Sequence, residues 1–133
     1  MGLELIKAGR AIADILTHDE TVTTYVNSRI YPVFEKRGTT YPYIIFSRGD
    51  IVQQGTKDYT PYGASCYVNI YVYSEDYSNV VDIACAVYDA LIHRQGTYGT
   101  IKISDVKFVS MDEAYTTTAN DIYVESMTFL ITQ

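Results

Sequence analysis

Leu3, Ile6, Ile12, Ile15 and Leu16 recur near a 3.6-residue period while Lys7, Arg10 and Asp14 fall elsewhere. This spacing predicts an amphipathic helix over 3–16, ended by Thr17 or His18. Asp19-Glu20-Thr21 then opens a second short helical turn with Val22, Tyr25 and Val26 as its apolar members, the acids sitting well at its positive end. A short extended piece, Arg29-Ile30-Tyr31, runs into Pro32, which holds the residue before it extended. After a loop over 35–40, the β-branched and aromatic run 41–47 predicts a strand with Pro42 at its start. Residues 48–63 carry three glycines and Pro61 among polar residues, predicting a long irregular connection with an extended patch near Ile51-Val52.

The clearest alternation follows. Ala64, Cys66, Val68, Ile70 and Val72 alternate with Ser65, Tyr67, Asn69, Tyr71 and Tyr73, which gives a strand with one aliphatic and one tyrosine-rich face. Ser74 is placed to cap a helix from about Asp76 whose core stripe is Val80, Ile83, Ala84, Val87 and Leu91, with Gly96 closing it. Val81, Cys85, Tyr88 and Ile92 widen its apolar arc beyond what one sheet face needs. Two more strands are predicted, at 100–110 with a bend near Ser104-Asp105 and at 121–132, separated by the polar stretch 111–120. Strands outnumber helices and neighbour one another, so the expected fold is α+β: one domain over 1–133, a mixed or antiparallel sheet with two main helices on one face.

Composition narrows the function. The 133 residues carry a net charge of -6 and 47% hydrophobic residues, enough for a core without a disulfide or metal. No apolar run approaches the ~18 residues of a bilayer span, and the first residues lack a signal-peptide core, so a cytosolic chain without membrane contact is expected. Cys66 and Cys85 are expected as buried or semi-buried thiols. The acidic balance and scattered cations argue against a protein that grips nucleic-acid phosphates.

Catalytic chemistry is poorly supported. His18 and His93 each fall at a predicted helix end, where a capping role explains them. The adjacent acid pairs fall at helix starts or in a loop, and no phosphate-binding, zinc-protease or nucleophile-elbow pattern occurs. Arg48-Gly49-Asp50 reads as a turn built on Gly49. No catalytic residue, cofactor or metal ligand is assigned. The unusual feature is the 14 tyrosines with no tryptophan. Tyr67, Tyr71 and Tyr73 could line a ligand pocket, form a solvated sheet side, or pack against a partner subunit. The last is favoured, because tyrosine gives contact area with few rotors and because the helix arc of Val81, Cys85, Tyr88 and Ile92 offers a second apolar patch. Two different patches imply a heterologous, ring-forming contact.

The run Val22 through Pro32, with Arg29, Tyr31 and Pro32, then Gly38-Thr39 and Tyr41 through Phe46, with Pro42 and Tyr43, resembles the tail-completion, or tail-terminator, family of tailed bacteriophages and prophages. The strand 68–73 and the helix over 77–91 fit the same pattern, so the resemblance covers about residues 3–95. The chain departs from it at Lys36-Arg37, where members often carry Pro-Gln. The resemblance implies a virion structural protein, made in the bacterial host cytoplasm, that assembles as a hexameric ring on the head-proximal end of the tail tube. Its partners would be further copies of itself, the tail tube protein and the head connector, with DNA passing through the lumen without specific binding. The acids of 48–63 and 111–120 are then candidates for lumen or docking positions. A small-ligand-binding domain with a tyrosine-lined pocket, and a head-side connector or tube subunit, are the alternatives.

Overall fold

The computed structural model describes residues 4–35, 37–53, 64–116 and 122–133. A 3₁₀ turn, Glu4–Lys7, leads into helix α1 (Ala8–Thr17), followed by α2 (Glu20–Val26). The Asp19 carboxylate caps α2 by accepting from the Val22 N–H at 3.0 Å, so the acid the sequence marks as a start signal satisfies one of the orphan donors there. At the other end of α1, His18 is the C-cap, its N–H donating to the Asp14 carbonyl.

Strands β1 (Ile30–Pro32), β2 (Tyr43–Gln53), β3 (Ala64–Ser74), β6 (Asp105–Thr116) and β7 (Ile122–Thr132) form a five-stranded mixed sheet in the order β1-β2-β3-β7-β6. The β1–β2 pairing is parallel and the rest antiparallel. Helix α3 (Tyr77–Leu91) follows β3, and β4 (Gly96–Tyr98) with β5 (Ile101–Ile103) makes a separate two-stranded ribbon.

One face of the large sheet carries the core. Ile44 and Phe46 of β2, the aliphatic side of β3, and Met127, Phe129 and Ile131 of β7 pack with Leu5, Ile12, Leu16, Val22, Val26, Val80, Ile83, Val87 and Leu91 of the helical layer, and with Ile101 and Ile103 of the ribbon. All five residues of the predicted α3 stripe are buried. The expected α+β fold with helices on one sheet face is what forms.

Several expectations are corrected. Ile6 is exposed and Leu5 fully buried, because the first turn is 3₁₀ and its tighter winding rotates each side chain away from an α-helical stripe. Arg48-Gly49-Asp50 lies inside β2 rather than in a turn, and the strand continues to Gln53 because Ile51 and Val52 pair with Cys66 and Ser65 across an irregularity between Arg48 and Ile51. Only 48–53 of the predicted long connection is described. Helix α3 ends at Leu91, and His93 rather than Gly96 takes the left-handed turn (φ 55°), with its N–H donating to the Val106 carbonyl. Gly96 instead opens β4.

The predicted strand over 100–110 is two strands in different sheets, broken at Ser104, whose N–H donates to the Thr132 carbonyl. The polar stretch 111–120 is not a separator over its first half: β6 runs on to Thr116, because cross-strand pairing with β7 does not depend on apolar side chains. Residues 117–121 lie outside the described residues. Cys66 is buried as expected, whereas Cys85 is exposed on α3.

Candidate assembly surfaces

The sheet face turned away from the helices mixes tyrosines with polar residues, and with Ile45 and Val124, which are buried there. Tyr67, Asn69, Tyr71 and Tyr73 of β3 stand on it half-buried, beside Ser126, Thr128 and Leu130 of β7. Thr128 Oγ1 donates to Asn69 Oδ1 at 3.0 Å, a cross-strand bond between directly paired residues. Gly49 lies against this face because a Cβ there would meet Tyr67 Cβ at 3.2 Å and the Tyr67 carbonyl oxygen at 3.3 Å.

At one end of the face the tyrosines meet. Tyr43 pairs with Tyr73 in register and stacks on it with centroids 4.8 Å apart and planes 18° from parallel. Tyr41 and Tyr31 approach Tyr43 at 5.2 and 6.5 Å. Burial raises the Tyr43 phenol well above its ordinary range and raises that of Tyr73 too, with the Glu35 carboxylate adding to both effects. Arg29 Nε donates to the Pro42 carbonyl at 2.8 Å, and Pro32 pairs with Phe46 at the end of β1. Five of the six residues that carry the resemblance, Arg29, Tyr31, Pro32, Pro42 and Tyr43, thus hold the β1–β2 edge together. Gly38 lies in the loop between the strands with φ 80°, a left-handed conformation that suits glycine.

The second patch lies across the molecule. Val81, Tyr88 and Ile92 are half-buried and Cys85 exposed along the side of α3 that faces β6. Tyr88 meets Phe108 edge-on at 5.4 Å, and Phe108 meets Phe129 at 5.8 Å. The β6 edge leaves Phe108, Val109 and Met111 exposed, Val109 at the irregularity between Phe108 and Ser110. Two adjoining open grooves of about 240 and 280 Å³ run between α3 and β6, sharing Tyr77, Glu113 and Glu125. The tyrosine-rich face and the helix arc are therefore separate surfaces.

No motif in the chain marks Glu125 as a buried acid. It pairs with Val72 on the helix-facing side of the sheet and is only 3% exposed. Burial raises its carboxyl to about 7, and hydrogen bonding with, and repulsion from, its cross-strand partner Glu113 act the same way. Glu113, open to solvent, is held below the ordinary range first by Tyr77, whose hydroxyl donates to Glu113 Oε2 at 2.6 Å, and then by Glu125. The signal was present in the register: position 125 falls on the apolar side of its strand.

The histidines make local contacts, His18 Nδ1 with Asp14 Oδ1 at 3.0 Å and His93 Nδ1 with Asp105 Oδ1 at 3.2 Å. Among the described residues no group of His, Cys, Asp or Glu is arranged to hold a metal ion, and no helix is long and apolar enough to cross a membrane. Charge is unevenly spread. Residues 64–133 carry nine acidic against three basic side chains, whereas residues 1–63 carry seven of each, so the net negative charge belongs to the α3–β6–β7 half.

The described residues define the class as a two-layer α+β domain, a mixed sheet with helices on one face and shallow open grooves along α3 and β6. Residues 10–123 match the family described as tail completion protein gp17, and the chain belongs to that family of phage tail structural proteins. Among solved structures it is similar to a chain from the virion of a native gene transfer agent particle, 21% identical over 94% of this chain and 95% of that chain, with a TM-score of 0.75. A second solved chain is 15% identical over 100% of this chain and 97% of that one, with a TM-score of 0.50. These likenesses establish the fold. Among curated proteins none matches.

Proposed function

We propose that the chain is a ring-forming subunit, hexameric when assembled, that caps the head-proximal end of the tail tube and joins it to the head. Membership of the tail-completion family carries this reading. The sheet face with Tyr67, Tyr71 and Tyr73 supports it, since half-buried tyrosines suit a partly wet subunit contact. The arc of Val81, Cys85, Tyr88 and Ile92 supplies a different patch, as a closed heterologous ring requires. The tail tube protein and the head connector are its neighbours in this reading, assembly takes place in the host cytoplasm, and the work is geometric rather than catalytic. The -6 net charge lets DNA pass through the lumen without gripping its phosphates.

Native mass spectrometry over a concentration series, with and without purified tail tubes, tests the proposal. A ring of defined size that binds tubes is expected, and Tyr71→Asp should lose the ring with an unchanged circular dichroism spectrum. A chain that stays monomeric and leaves tubes uncapped would refute it. Stabilisation by a small molecule that grows with the logarithm of its concentration, and is lost in Tyr71→Asp, would favour the ligand-binding alternative instead.

A further inference from the structure

The two edges of the large sheet are complementary. At the β1 edge, Val33 and Phe34 project with 68% and 72% of their surface exposed, the largest exposures among the described large apolar residues. This knob is a built feature. Val33 is β-branched yet has φ 68°, a conformation such residues rarely adopt, and it is held there by its own N–H donating to the Phe46 carbonyl at 2.8 Å and by the Phe34 N–H donating to the Pro32 carbonyl at 2.7 Å.

At the opposite edge lies the groove between α3 and β6, about 280 Å³, with Val81, Cys85 and Met111 along it. The registers place both features in one cross-sheet row: Pro32 pairs with Phe46, Phe46 with Ile70, Ile70 with Met127, and Met127 with Met111. The knob follows directly on Pro32, so it stands level with the groove at the far edge. Charge matches as well. Residues 29–37 carry Arg29, Lys36 and Arg37 against Glu35, while Asp112 and Glu113 line the groove.

We infer that the knob of one subunit, Val33 and Phe34, seats in the α3–β6 groove of a second copy of this chain, making the repeating contact of the ring. The inference rests on the ring proposed above and adds the knob to the tyrosine side of its contact, since Val33 follows the strand whose Tyr31 joins Tyr43 and Tyr73 at the end of that face. A contact between two different edges of one sheet repeats around a ring without using either surface twice. Its charged flanks steer association and make it sensitive to salt.

Cys85 makes the test direct, because it is exposed in the groove and Cys66 is buried. A Phe34→Cys chain, oxidised mildly, should give a non-reducing ladder from dimer upward, with peptide mapping showing position 34 joined to Cys85. Adding Cys85→Ser should abolish the ladder. Independently, Phe34→Asp should raise the midpoint concentration of assembly at least about tenfold without lowering the melting temperature, and added salt should weaken wild-type assembly. A wild-type oligomer whose Phe34→Cys chain forms no bond between position 34 and Cys85 would overturn this contact and leave the ring standing. A chain that neither oligomerises nor cross-links, with or without tubes, would overturn both. Phe34→Asp rings that form normally but no longer bind tubes would assign the knob to the tube protein and overturn the inference.

Discussion

Replacing Glu125 by Gln keeps the size of the side chain and its capacity to hydrogen-bond, but removes its titration. In the folded chain this carboxyl has moved from its ordinary 4.5 to about 7, mainly because it is buried beside Val72 and opposite Glu113. Between those two values the folded chain holds a proton that the unfolded chain releases. Stability from this group is therefore fully present below about 4.5 and is lost as the pH rises through 7. The ceiling is about 3 kcal/mol. Because the groove admits water to the Glu113 side of the pair, on the order of 2 kcal/mol is expected between pH 5 and pH 8, or about 5 to 8 °C in melting temperature. Glu113 acts in a different window: its carboxyl is lowered, so its contribution is lost only as the pH falls below the ordinary range. Thermal unfolding followed by circular dichroism at intervals from pH 5 to pH 8 reads this directly. Wild-type melting should fall with rising pH, whereas Glu125→Gln should be nearly flat, matching wild type at pH 5 and exceeding it at pH 8. Glu113→Gln should shrink the wild-type slope by removing the neighbouring charge. Wild-type stability that is level or rises across this range, or a Gln variant that keeps the wild-type slope, would refute the reasoning.

Other consequences are checked as readily. Asp19→Ala removes the cap on α2 and should cost about 1 kcal/mol in denaturant unfolding, with Asp19→Asn recovering most of it. Val33→Gly should stabilise by about 1 kcal/mol, since release of roughly 1–3 kcal/mol of backbone strain outweighs the roughly 0.5–1 kcal/mol entropic cost of glycine; a loss of more than about 1 kcal/mol in the same assay would contradict the strain. A thiol reagent at pH 8 should modify one cysteine of the native chain, Cys85, and reach Cys66 only on unfolding, because Cys66 is fully buried and burial pushes its thiol up to about 11. Two equally fast thiols would show that β3 is open.

The alternation of β3 and the stripe of α3 were legible in the chain because each residue's face is set by backbone period alone. The same holds for the Asp19 cap, a contact reaching three residues along the chain. The tyrosine-rich face was equally legible, since Tyr67, Tyr71 and Tyr73 follow from alternation. Elements failed to show where partners distant in sequence decide the outcome. β6 keeps polar residues extended as far as Thr116 because β7 supplies the hydrogen bonds, and Ser104 breaks the predicted strand because its N–H finds the Thr132 carbonyl. The joining of Tyr31 and Tyr43 to Tyr73, the pairing of Glu113 with Glu125, and the level placement of Val33–Phe34 and Met111 at opposite edges all depend on strand order and register. By itself the sequence determined the helices, most of the strands and the sidedness of β3, because local period and caps act within a few residues. The tertiary structure alone decided which residues meet across the sheet and which surfaces stay uncovered, because those follow from hydrogen bonds and packing between segments far apart in the chain.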